Sequence, residues 1–143
     1  MIIEKVLFSY ASLIRDGQAP QTMYPPDTVL YDIDNEKNYS LSVTAGFVTT
    51  QDENYWYEID VTFNGKSVID SNDGDDGSFI IWVSSRPSAD QYVNTSSFFL
   101  KSVKFHHSGM YTITVSLYKK QQGSEDNKYL DTKECFLIVP EGN

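Results

Sequence analysis

Cysteine is almost absent from this 143-residue chain, in which Cys135 stands alone. An intrachain disulfide is excluded, so the fold does not depend on an oxidising compartment. Basic residues are scarce too. Eleven lysines and arginines face twenty acids, a net charge of −9, and Arg15 and Arg86 are the arginines. No basic cluster is present to neutralise a phosphate backbone, which excludes nucleic acid as a partner. The same deficit argues against an anionic membrane surface. No apolar run approaches the ~18 residues of a bilayer span. The start of the chain, MIIEKVLFSYASLIRDG, carries Glu4 where a signal peptide needs positive charge, and no small-residue cleavage site follows. Cytoplasmic residence is the default expectation. Also missing are a Gly-x-Ser-x-Gly elbow, a phosphate loop and a zinc quartet, so no enzyme and no cofactor is expected.

What remains is a period of two. Aromatic residues make up 14% of the chain: ten Tyr, eight Phe and two Trp, the types that favour strands and contact surfaces. Ile2 to Tyr10 is a first apolar run. Arg15 to Pro26 is a loop, because Gly17, Pro20, Pro25 and Pro26 forbid a long helix. Val29 to Ile33 predicts a short edge strand. From Tyr39 to Thr50, apolar Tyr39, Leu41, Val43 and Ala45 alternate with Ser40, Ser42 and Thr44, and Gly46 breaks the alternation as a bulge or close backbone approach does. Trp56 to Phe63 places Tyr57, Ile59, Val61 and Phe63 on one face. Asn64-Gly65 then marks a tight hairpin, since a type I′ turn needs positive φ at both central residues. Phe79 to Val83 is a compact apolar strand. Ser84 to Asn94 is a polar connection with room for one helical turn, and Ser97 to His106 is extended. Met110 to Tyr118 turns Tyr111, Ile113, Val115 and Leu117 inward, with Thr112, Thr114 and Ser116 outside. A hairpin loop over 119–128 leads to a last strand, Tyr129 to Val139. Seven to nine antiparallel strands, each with one apolar face, must pair into two sheets or a closed barrel, giving a single domain over 1–143.

The segment HSGMYTITV (107–115) resembles the strand-F motif of immunoglobulin-like domains: Gly109 in the turn, Tyr111, then inward Ile113. The resemblance implies an all-β immunoglobulin-like antiparallel sandwich with Tyr111 as the corner tyrosine, its hydroxyl tied to upstream backbone. Ile113 stands where antibody domains carry cysteine, so the intersheet disulfide is missing. Trp56 falls roughly where the core tryptophan would lie. The order of elements along nearly the whole chain resembles small bacterial and phage proteins of unknown function. That resemblance implies a phage- or mobile-element-encoded accessory or host-inhibitor protein.

Four sets of residues invite chemistry. Asp70, Asp73, Asp75 and Asp76 offer oxygen ligands for calcium, but no Gly at the sixth position and no closing Glu follow, so a solvated loop is favoured over a metal site. His106 and His107 are strand neighbours that point to opposite faces and do not share an ion; a half-buried and exposed pair is expected. Cys135 lies beside Phe136 mid-strand, a packed thiol rather than a nucleophile. Tyr55, Trp56, Tyr57, Trp82 and Tyr92 form the aromatic set. An extended chain cannot bury three consecutive aromatics on one face, so one of Tyr55 to Tyr57 stands outside or faces a covering segment.

Taken together, acidic loops and surplus aromatics predict a non-catalytic module that binds a protein partner, basic by charge complementarity, with a carbohydrate-binding sandwich using a Trp/Tyr stacking platform as the alternative. A DNA mimic fits less well, because the acids cluster in loops rather than along a stripe. Open edge strands offer a surface for a homodimer. Treatment with a calcium chelator should leave the melting temperature unchanged; a drop would assign metal to the acidic loop.

Overall fold

The computed structural model describes residues 2–18, 23–70, 78–123 and 126–142. Among them there is no helix, and none therefore long and apolar enough to cross a membrane. Eight strands are present: β1 (Lys5–Ile14), β2 (Asn38–Thr50), β3 (Tyr55–Phe63), β4 (Lys66–Ser67), β5 (Ser78–Ser88), β6 (Gln91–Lys104), β7 (Gly109–Lys120) and β8 (Asn127–Val139). They form two four-stranded antiparallel sheets, ordered β1-β2-β6-β5 and β4-β3-β7-β8.

The alternation read from the sequence builds one shared core. Leu41, Val43, Ala45 and Phe47 of β2 and Phe98 and Leu100 of β6 meet Val61 of β3 and Tyr111, Ile113, Val115 and Leu117 of β7, all buried. The clean inner phase of β7 explains its central place: four successive inward side chains leave no polar group to strand inside. Asn64 (φ 51°) and Gly65 (φ 80°) form the β3–β4 turn, pairing Phe63 with Lys66. Gly46 faces the Phe8 ring so closely that a Cβ there would collide with it, and the β1 register slips between Val6 and Phe8 beside it. Of the two readings offered for Gly46, the close approach occurs; the bulge lies opposite it in β1, and Gly46 keeps regular register with β6. The Tyr111 hydroxyl donates to the His107 carbonyl at 2.7 Å and accepts the His107 amide at 3.1 Å, closing the β6–β7 turn.

Several expectations are corrected. The first strand starts at Lys5 and runs to Ile14 rather than over 2–10. Val29 to Ile33 is not a strand; Val29 makes a single parallel bridge to Ile138. Ser84 to Asn94 is no connection with a helical turn. β5 continues to Ser88 and β6 starts at Gln91, because cross-strand pairing outweighs weak local helix preference. The final hairpin is tighter than 119–128, since β7 reaches Lys120 and β8 begins at Asn127. Trp56 does not occupy the core; Tyr57 does, packed against Phe47 and Phe98 at ring distances of 4.7 and 5.8 Å. His106 and His107 are both exposed, and the His107 ring stacks on Phe63.

Gly65→Ala forces a side chain into left-handed backbone. It should lower unfolding free energy by about 1–2 kcal/mol, read as a reduced denaturant midpoint at unchanged slope.

Candidate functional site: the outer face of β3, β7 and β8

The site begins with a brace. Glu4 and Lys119 form an ion pair at 2.8 Å, and the Tyr55 hydroxyl donates to the same Glu4 oxygen at 2.6 Å. The Tyr55 oxygen in turn accepts the Thr50 amide at 2.7 Å. Burial acts to raise the Glu4 carboxyl, but the bonds from Lys119 and Tyr55 outweigh it and leave the group below its ordinary 4.5. The bond to Glu4 lifts Lys119 above its ordinary value. Burial lifts the Tyr55 hydroxyl, and Glu4 adds to that. Tyr55 pairs with Lys119 across β3 and β7, so pinning both inward aims their chain neighbours Trp56 and Lys120 outward. The Lys120 ammonium lies 5.8 Å from the centre of the Trp56 ring.

Registration then assembles the face row by row. Trp56 pairs with Tyr118, and Tyr118 with Tyr129, an aromatic row across three strands. Trp56 is 50% exposed and Tyr129 57%. The Tyr118 and Tyr129 rings meet edge to face at 5.8 Å. The Tyr129 hydroxyl donates to Thr132 Oγ1 at 3.0 Å, and Thr132 shares a hydrogen bond with Ser116 at 2.9 Å, so the ring is held along the strand. The next row is Glu58, Ser116 and Thr132, and the one after it Asp60, Thr114 and Glu134. Asp60 is anchored by Ser67 Oγ at 2.6 Å. Thr62, Thr112 and Phe136 follow, and Met110 with Ile138 ends the face. Met110, Phe136 and Ile138 are exposed. The surface thus has an aromatic end, an acidic middle and an aliphatic–aromatic far end.

The other aromatic candidates lie elsewhere. Tyr57 belongs to the core and Tyr55 to the brace. Trp82 lies on the outward side of the opposite sheet, where its indole N–H donates to Ser97 Oγ at 2.6 Å and Ser97 bonds Thr44 at 2.8 Å. Tyr92 sits under the Arg86 guanidinium at 4.8 Å, and Arg86 also bonds Gln51 and the Ala89 carbonyl, tightening the β5–β6 turn. Trp56 and Trp82 therefore occupy opposite sides of the molecule and do not share a platform. Of the acidic set, Asp70 pairs with Lys104 at 3.8 Å; Asp73, Asp75 and Asp76 lie outside the described residues. Tyr118 and Tyr129 escape the sequence reading. Tyr118 had a signal, since it continues the outward phase of Thr112, Thr114 and Ser116. Tyr129 did not, because a bulge between Leu117 and Tyr118 resets the pairing of β8.

Among the described residues no three His, Cys, Asp or Glu side chains converge as metal ligands. Burial pushes the Cys135 thiol up, which keeps it protonated and weakly nucleophilic. An open recess of about 620 Å³ lies where Arg15, Asp16, Asp32, Asp34 and Lys37 meet, and its charges are partly committed: Lys37 to Asp34 at 4.0 Å and Arg15 to Asp27 at 3.3 Å. The chain matches no protein-family model and no curated protein sequence.

The brace carries a pH signature. Glu4 has a lowered folded-state pKa, so its contribution is complete above about pH 4.5 and fades as pH falls through the folded value. Lys119 has a raised one, and its contribution fades only as pH climbs through that raised value. Glu4→Gln should lower stability at neutral pH by about 1–3 kcal/mol and flatten the acid limb of the stability profile, measured by chemical denaturation across pH.

Proposed function

We propose that this chain is a non-catalytic immunoglobulin-like module that docks a protein partner with the outward face of β3, β7 and β8, and that the partner's contacting surface is basic. The sheet orders support the immunoglobulin-like part of this reading. With strands lettered in chain order they become A-B-E-D and C′-C-F-G, the arrangement of such sandwiches, and the Tyr111–His107 bonds are those of a tyrosine corner.

The observation that carries the docking reading is the composition of one face. Trp56, Met110, Tyr129, Phe136 and Ile138 are all exposed and all project from the same side. Scattered apolar residues are ordinary, but large ones gathered on a flat sheet mark contact surfaces. Trp and Tyr are the side chains that most often anchor interfaces. Between the two apolar ends lie Glu58, Asp60 and Glu134, against Lys120 alone among the cations of these rows. Such a field steers a basic partner and repels an acidic one.

A photo-crosslinking residue placed at Thr114 tests the reading. The protein it captures from lysate is to be identified, purified and titrated against the intact chain. Trp56→Ala and Phe136→Ala should each weaken that binding at least ~10-fold, and Glu134→Lys should slow association and blunt its dependence on salt. If the purified partner binds Trp56→Ala and Phe136→Ala as tightly as the native chain, the docking face is misassigned.

The row Trp56–Tyr118–Tyr129 supports a second reading, a carbohydrate platform. Three aromatics on adjacent strands span about 10 Å beside the hydroxyls of Ser116 and Thr132. A glycan array probed with the native chain and with Trp56→Ala decides it: sugar binding abolished by Trp56→Ala supports the platform, and a blank array removes it.

A further inference from the structure

One turn of the molecule is chemically labile. Asn64 and Gly65 are exposed at the tip of the β3–β4 hairpin, and no other asparagine in this sequence is followed by glycine. A side chain at the following position crowds the backbone nitrogen there. Glycine has none, and the space around Gly65 is open. The Asn64 side chain makes no hydrogen bond among the described residues. It lines an open recess of about 620 Å³ together with Lys66 and His107, so water reaches the amide.

The Gly65 nitrogen can attack Asn64 Cγ only if it swings toward it, so the hairpin tip must first open. Little holds it shut. β4 offers two pairs, Thr62 with Ser67 and Phe63 with Lys66. Beyond them the Val68 amide donates to the Val61 carbonyl at 2.8 Å, and Ser67 Oγ donates to the Asp60 carboxylate at 2.6 Å. A two-residue strand with exposed side chains opens far more readily than the whole sandwich. Asn64 also stands in left-handed backbone (φ 51°), a conformation that opening relieves.

We propose that Asn64 is a site of spontaneous deamidation, and that its main product, isoaspartate, unmakes β4 and frees Asp60 from Ser67. The Gly65 nitrogen forms a bond to Asn64 Cγ, the Cγ–Nδ2 bond breaks, and the Gly65 amide proton leaves with Nδ2 as ammonia. Water then opens the cyclic imide. Attack at Cγ gives aspartate. Attack at the main-chain carbonyl gives isoaspartate, in which the chain runs through Cβ and gains one backbone atom. A two-residue turn has no room for that atom, so the pairing of Phe63 with Lys66 is lost. Asp60 belongs to the docking face, but the inference rests on the turn alone and stands whether or not that face binds a partner.

Ageing the full chain in warm, mildly alkaline buffer, followed by peptide mapping, tests it. Asn64 should deamidate at least ~10-fold faster than any other asparagine, because glycine leaves the attacking nitrogen unhindered. Isoaspartate should exceed aspartate at this position, read by enzymatic methylation of the isoaspartyl carboxylate. Gly65→Ala loosens the turn, yet it should slow the reaction at least ~10-fold, since its methyl group crowds that nitrogen. Hydrogen exchange of the aged chain should show the amides of 66–68 losing protection while those of β7 keep it. Asn64→Asp adds the charge without the extra atom and should leave the amides of 66–68 protected. Four results would each overturn the proposal: an Asn64 that ages no faster than the other asparagines, a Gly65→Ala chain that deamidates as fast as the native one, isoaspartate at 64 with 66–68 as protected as before, or Asn64→Asp losing the same protection.

Discussion

Extended backbone sends successive side chains to opposite sides, and every larger feature of this protein answers to that alternation. A strand with one apolar face cannot stand in water by itself, and two sheets laid face to face are the simplest way to hide both faces at once. β7 sits at the centre of its sheet because its inward phase, Tyr111 to Leu117, is unbroken. Its outward phase, Thr112 to Tyr118, lies half-buried on the other side, and the candidate site grows on that surface. Core and site are the two phases of the same strands.

The brace at Glu4, Tyr55 and Lys119 shows how this constraint reaches the site. None of the three side chains lies on the outer face. By fixing the inward phase at the ends of β3 and β7, they fix the outward phase as well, which places Trp56 and Lys120 side by side. A weakened brace loosens the aromatic row without removing any of its members. The Ser116–Thr132–Tyr129 hydrogen bonds act in the same direction from β8, trading side-chain freedom for a defined ring position.

Closure of the sandwich follows a second logic, the need of backbone N–H and C=O groups for partners. The chain at 27–30 serves this need: Asp27 contributes its amide and carboxylate to the edge of β1, and Thr28 and Leu30 a carbonyl and an amide to β8, while the Pro25 carbonyl accepts the Ser12 hydroxyl beside them. The stretch from Val29 reads as a short edge strand in the sequence, and in the structure it covers the edge of β8 with a single bridge at Val29.

Much of the architecture was legible in the chain itself. Alternation over 39–50, 56–63 and 110–118 and the Asn64-Gly65 turn depend on neighbours in sequence, and local steric rules decide them; the close approach at Gly46 had a local signal, but the ring it meets, Phe8, comes from β1. The tie of the Tyr111 hydroxyl to upstream backbone was legible from neighbours in sequence too, since it reaches only four residues back. Strand limits around Ser84–Asn94 and Val29–Ile33 were not, because pairing with a distant strand supplies the hydrogen bonds that settle them. The five aromatics singled out as a set fall into separate places for a related reason: sequence spacing assigns each to a phase, but it does not say which sheet the phase belongs to. Trp56 and Trp82 each point outward, yet from opposite sheets. Tyr129 joins Trp56 and Tyr118 only because a one-residue bulge in β8 resets the register between strands. Period and turn chemistry were thus determined locally by the amino-acid order, whereas the gathering of an acidic and aromatic face came from long-range pairing that no window of sequence contains.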